Sequence, residues 1–143
     1  ARAGSVPLAD DHFMCCLPDA HPLAQAAGID LRTLADETFV MFSREVAPAN
    51  HDNVIALLHR AGIHPQTRHA ARQWLTVVAL VASGMGVGLV PASMARAGIT
   101  GARFVPLRGL THPTVGVLAW HAEQTSPALQ AFIAIASTGA APR

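Results

Sequence analysis

His59, His64 and His69 stand at equal intervals, a spacing that invites a metal site. They straddle a helix end, Pro65 and a strand, and no His-x-x-x-His pair stands on one helix face. We expect exposed helix and loop histidines, no metal and no cofactor. Ser43 falls at a strand end with His51 nearby, and a serine nucleophile needs such a base. Neither a third orienting group nor a Gly-x-Ser-x-Gly elbow accompanies them, so we expect no enzyme. Gly84-Met-Gly86-Val-Gly88 suggests a dinucleotide loop, but that fingerprint needs a strand before it and a helix after it. Here a helix precedes and a strand follows, so the glycines read as a turn. One arrangement remains: Arg44 in the loop from Ser43 to Asn50, two helix starts, and Trp74. Arginine and helix N-termini attract anions, and an indole stacks on flat molecules, which together suit a small organic acid.

The elements that must position these residues follow from hydrophobic spacing and turn signals. Asp11 to Leu17 reads as a strand, and Asp30 caps a short helix from Leu31 to Asp36. Thr38 to Phe42 is almost wholly apolar, as a central parallel strand should be. Asn50 or Asp52 caps a helix through Arg60, with Val54, Leu57, Leu58 and Ala61 at helical spacing and Gly62 as its stop. Thr67 to Ala71 is a strand, Trp74 to Ser83 a helix, Val87 to Val90 a buried strand, and Pro91 to Ala97 a short helix. Phe104 to Leu107 and Thr114 to His121 are strands. Ser126 caps a last helix, with Pro127 at its first position and Leu129, Phe132, Ile133 and Ala136 facing inward. The alternation predicts an α/β domain whose sheet is mostly parallel and flanked by helices.

Composition narrows the classes. The chain has 143 residues, 51% hydrophobic and 13% charged, which fits one globular domain and excludes a disordered chain. A formal charge of +1 supplies no field to hold a phosphate backbone. Cys15 and Cys16 are adjacent, so they make no disulfide framework; one buried and one half-exposed thiol are expected. Gln73 to Ala95 carries no charge, but its glycines and Pro91 leave too short a helix to span a membrane. Ala1-Arg2-Ala3-Gly4 has neither an initiator Met nor an apolar signal core, so the sequence reads as part of something longer.

An ordered set of motifs resembles the effector-binding domain of LysR-type transcriptional regulators. It comprises Leu17-Pro-x-x-His-Pro-Leu-Ala24, Leu31-x-x-Leu34, Phe39-Val-Met-Phe42 and Gly62-x-x-Pro65. Leu80-Val-Ala-x-Gly-x-Gly-Val-Gly-Leu-Val-Pro91, Val105-Pro-Leu107 and Ser126-Pro-Ala-Leu129 with Phe132 complete it. The match runs from Leu8 to Ala136. Ser43 to Asn50 and Ala71-Arg72-Gln73-Trp74 are similar to the branch that senses aromatic-degradation metabolites such as muconate.

The resemblance implies a two-lobed fold like the type II periplasmic binding proteins, with the effector in the cleft. Residues 1–114 would be the second lobe, with 1–10 as incoming hinge. Residues 115–143 would be a returning strand and a C-terminal helix packed on a first lobe that this sequence lacks. Pro48, Asn50 and Trp74 match cleft positions, with Val115 and Gly116 near the returning strand; Ser43 and Arg44 join them from the loop. Asn50 and Trp74 are polar or bulky where that branch tends to be apolar. The implied partners are a small organic acid, DNA through a missing N-terminal domain, and further copies of the full-length chain as a dimer or tetramer. No membrane partner is expected, and the location would be cytoplasmic. The alternative with the same fold is a solute-binding protein of a transport system for a small anion.

Overall fold

The computed structural model describes residues 2–109, 113–124 and 126–139. They form two compact units: Ala1–Asp11 with Pro113–Arg143, and His12–His112.

In the unit His12–His112 the motif strand–helix–strand–helix–strand lies where the hydrophobic spacing puts it. β2 (Thr38–Phe42) pairs in parallel with β3 (Gln66–Ala71), ending with Phe42 opposite Ala71. Helix α1 (Pro48–Arg60) connects them, burying Val54, Leu57 and Leu58. Helix α2 (Trp74–Ala82) follows β3 and buries Val77, Val78 and Val81. Leu75 is 48% exposed, because the buried stripe is centred on those three valines. The chain then turns through the glycines into β4 (Gly88–Pro91). Gly84 sits at φ 81° as the left-handed stop of α2, with Gly84 N–H donating to Val81 O and Met85 N–H to Leu80 O.

The sheet is mixed rather than mostly parallel. The long strand β1 (Ala3–Pro18) lies antiparallel between β4 and β5 (Ala102–Pro106), pairing Cys16 with Gly88 and with Phe104. Val87 joins the two ladders: its carbonyl accepts from Val40 N–H at 2.8 Å and its N–H donates to Thr38 O at 2.9 Å. Across that junction the strands follow the order β3-β2-β4-β1-β5. Strand–helix alternation fixes the direction of β2, β3 and Val87 relative to one another. It says nothing about β1, which enters before the first crossover.

Both thiols are fully buried, which corrects the expectation of one half-exposed cysteine. Neighbours on a strand face opposite sides, and β1 is covered on both. Cys15 packs into the cluster of Phe13, Leu17, Leu31, Phe39 and Leu58, whereas Cys16 packs among Val40, Val77, Val78, Val81 and Val90. The short helix after Asp30 is 3₁₀ and covers Leu31–Leu34, with Asp30 accepting from Arg32 N–H as its cap. A second 3₁₀ helix, Ala92–Ala97, ends at Gly98 with φ 66°.

In the other unit, β6 (Pro113–His121) pairs with the first part of β1, and helix α3 spans Pro127–Gly139. This pairing explains why β1 starts at Ala3 rather than Asp11: the early residues are exposed or half-buried and are extended by their partner strand. Ser126 caps α3 by accepting from Leu129 N–H at 3.2 Å. The inward stripe expected on α3 is only partly covered: Leu129, Ile133 and Ala136 are half-buried, whereas Phe132 and the neighbouring Ile135 are 56% and 70% exposed.

Candidate functional site at the ends of β2 and β3

The parallel pairing brings the carboxyl ends of β2 and β3 together, and a helix begins shortly after each. Ser43 N–H donates to Ala71 O at 2.7 Å, fastening the loop after β2 to the last residue of β3. Ser43 O in turn accepts from Val46 and Ala47 N–H, which rounds the chain into α1. The cap of α1 is Ala47, not Asn50 or Asp52 as expected from side-chain chemistry, because Pro48 takes the first helical turn. Asn50 is therefore a half-buried residue inside the first turn, and Pro48 is exposed.

Neither helix start is satisfied by its own side chains. Ala47 and Gln73 make no side-chain cap bond, and the first turns of α1 and α2 contain no acidic residue. Pro48 has no N–H, so donor capacity at these positive helix ends rests with Ala49 and Asn50 in α1 and with Trp74 and Leu75 in α2.

Arg44 is placed in this loop but is engaged. Its Nε and Nη2 bind Asp52 Oδ1 and Oδ2 at 2.9 and 3.1 Å, both side chains being exposed. The guanidinium holds the Asp52 carboxyl below its usual range, chiefly through these hydrogen bonds. Trp74, the first residue of α2, is half-buried. Its ring lies 4.7 Å from Phe42 and 6.0 Å from Phe13 between centroids, and it touches both apolar clusters.

The structure thus gathers Ser43, Arg44, Pro48, Asn50 and Trp74 around two adjacent strand ends. Val115 and Gly116 lie in the other unit, on β6. Val115 is 54% exposed, and Gly116 has Leu8 and Ala9 of β1 beside it. Two further residues border the site. His51 Nδ1 lies 2.8 Å from Phe42 O, so its ring is tied to the backbone at the strand end. Phe42 supplies the ring against which Trp74 leans. The apolar run of β2 signalled burial of Phe42 but carried no sign of its partner.

His59 and His64 meet as a ring pair at 4.9 Å, at the C-terminal end of α1. Among the described residues, no group of three His, Cys, Asp or Glu could hold a metal ion, and no helix is long and apolar enough to cross a membrane.

The fold is of the type II periplasmic-binding-protein kind. A family model, the LysR substrate binding domain, matches residues 2–141, and the chain belongs to that family. Among curated relatives, the uncharacterised HTH-type transcriptional regulator YnfL of Escherichia coli is 33% identical over 122 residues, covering 84% of this chain and 41% of that protein. The HTH-type transcriptional regulator CatR of Pseudomonas putida is 35% identical over 100 residues, covering 70% and 34%. The chain therefore spans about two fifths or less of the length of these relatives. Among solved structures, the LysR family regulator CbnR superposes with a TM-score of 0.83 at 21% identity, over 98% of this chain and 48% of that one. The BenM effector-binding domain, solved with its effector benzoate, gives 0.70 at 22% identity over 98% and 67%.

Proposed function

We propose that this chain is the small-molecule-sensing part of a LysR-type transcriptional regulator, and that its effector is a small organic acid, aromatic-derived in character. The observation that carries this reading is the pair of uncapped helix starts beside the half-buried Trp74 ring. Amides and dipoles suit a carboxylate, and the indole suits a flat body. Ser43, Arg44, Pro48, Asn50 and Trp74 form the site. Arg44 reaches an incoming carboxylate by exchanging Asp52 for it. Val115 and Gly116 are carried as effector contacts by the family resemblance alone. Benzoate, the effector of the BenM domain, is a ligand of the right chemistry.

In the whole protein, residues 1–114 act as the second lobe, with 1–10 as the incoming hinge, and α3 packs on a first lobe outside this sequence. DNA is held by an N-terminal domain, and the chains assemble as a dimer or tetramer in the cytoplasm. The effector shifts the population between arrangements of that assembly, and no chemical turnover is involved. The curated relatives are regulators, which supports sensing over solute transport.

The test is a fluorescence titration of the full-length protein with benzoate and with muconate, in a Trp120→Phe background that leaves Trp74 as this chain's reporter. Saturable quenching by either acid is the expected result, and calorimetric titration, which needs no tryptophan, should find the affinity weakened about tenfold by Trp74→Phe. Flat titrations with both acids overturn the reading.

A further inference from the structure

We propose that a second site, at the far end of α1, binds a small oxyanion bearing two or more negative charges. A cavity of about 260 Å³ opens there between the Asp30 cap, the end of α1 and the chain after β5. Arg32, Arg60 and Arg108 line it, with Asp30, Ala61 and Gly109. Arg60 closes α1, whereas Pro48 opens it. At a rise of about 1.5 Å per residue, the two ends are separated by roughly 18 Å of helix.

The charges in this cavity do not cancel. Asp30 is committed to Arg32, whose Nε lies 3.0 and 3.1 Å from its two oxygens and whose Nη2 also binds Oδ2. The Arg32 backbone N–H adds a further bond to Asp30 at 3.0 Å. These bonds hold the Asp30 carboxyl down at about 2, with a smaller pull from Arg108. Among the described residues, Arg60 and Arg108 belong to no ion pair. Arg60 and Arg108 thus line the cavity with no carboxylate bound to either.

The surroundings hold those groups in place. Arg108 N–H donates to Ile29 O and Ile29 N–H to Pro106 O, both at 2.8 Å, anchoring the chain on either side of the cavity. The Arg108 stem lies flat over Gly28, where a Cβ would sit 2.9 Å from both its Cγ and its Nε. At the end of α1, Gly62 adopts φ 76°. Gly62 N–H then satisfies His59 O, and Ile63 N–H satisfies Leu58 O, each at 2.9 Å. The carbonyls of Leu57, Leu58 and His59 are therefore occupied, which reduces the negative character that this end of α1 presents to an anion. Guanidinium forks match the oxygens of phosphates and carboxylates, and two unpaired forks suit a ligand with two charges. The cavity is smaller than a typical drug-sized pocket, about 300 Å³ or more, and suits a phosphate or a small polycarboxylate.

The test is calorimetric titration of the full-length protein with inorganic phosphate and, separately, citrate, in chloride buffer at fixed ionic strength. Saturable binding of one anion per chain is expected. Arg60→Gln and Arg108→Gln should each weaken it about tenfold, and the distant Arg96→Gln should leave it unchanged. Tighter phosphate points to a phosphorylated ligand, and tighter citrate to a polycarboxylate; either supports the site. No saturable binding by either anion overturns it, as does equal weakening by all three substitutions. Binding that Trp74→Phe abolishes while Arg108→Gln spares it also overturns the proposal, by assigning the anion to the β2–β3 edge.

Discussion

The ring of Trp74 leans on that of Phe42, centroids 4.7 Å apart and planes at 53°. Trp74 is thus both a wall of the candidate site and a plug between two apolar clusters. The two roles separate by substitution. Trp74→Ala should cost about 2–3 kcal/mol of stability, less than for a fully buried Trp, because the ring is half-buried. Trp74→Phe should stay within about 1 kcal/mol of the parent. Urea unfolding of both variants checks this, and equal losses would make the residue purely structural.

The two glycines with positive φ that close α1 and precede β4 should differ sharply when replaced. Gly62, at φ 76°, has open space where a Cβ would go, so Gly62→Ala should cost only about 1 kcal/mol from backbone strain. Gly86 sits at φ 146°, and a Cβ there would collide with the Thr38 carbonyl oxygen. Gly86→Ala should therefore lose about 3 kcal/mol or more, by adding displacement of β2 to the strain. Thermal unfolding of the pair measures the difference.

Burial keeps both thiols protonated. Cys16 is pushed up to about 12 by desolvation. Cys15 goes higher still, by desolvation first and then by the charges of Cys16 and Glu37. Above the ordinary thiol value of 9.0 the unfolded chain releases these protons while the folded chain retains them. The unfolded state then binds fewer protons, so stability falls as pH rises from 9 towards 12. The slope should approach about 1.4 kcal/mol per thiol for each pH unit. The chain contains no Tyr, and its basic residues are all Arg, so no other side chain of ordinary pKa titrates there. Urea midpoints measured across this range should fall steeply in the parent and little in a Cys15→Ala, Cys16→Ala double variant.

Phe132 and Ile135 leave α3 with an apolar face, and Val115 and Val117 do the same for β6. This chain alone should self-associate at high concentration, since covering such side chains contributes about 1.5–3 kcal/mol each when burial is complete. Phe132→Ser with Ile135→Ser should shift sedimentation towards the monomer. Unchanged sedimentation would place the contact elsewhere.

What was legible in the sequence depended on how local its cause was. Thr38–Phe42 was bounded correctly because a wholly apolar run between polar turns admits few alternatives. Gly62 and Gly84 marked their stops because only glycine enters the left-handed region cheaply. Ala47 escaped notice as a cap because it has no side chain to signal with, and Asn50 and Asp52 advertised a role that Pro48 pre-empted. The Ser43–Ala71 bond and the Phe42–Trp74 contact depend on β2 and β3 pairing in one register, which local spacing does not encode. The antiparallel course of β1 was hidden for the same reason.

The placement of β1 also orders events during synthesis. Its partners β4, β5 and β6 all come later in the chain, and Cys16 waits for Gly88. At about 5–20 residues per second, translation leaves that apolar segment unpaired for several seconds. Meanwhile β2, α1 and β3 can close on one another through shorter loops, which favours their earlier assembly. β1 is made before its partners and completed only after them, so Phe13 to Leu17 lack their sheet neighbours until β5 has emerged.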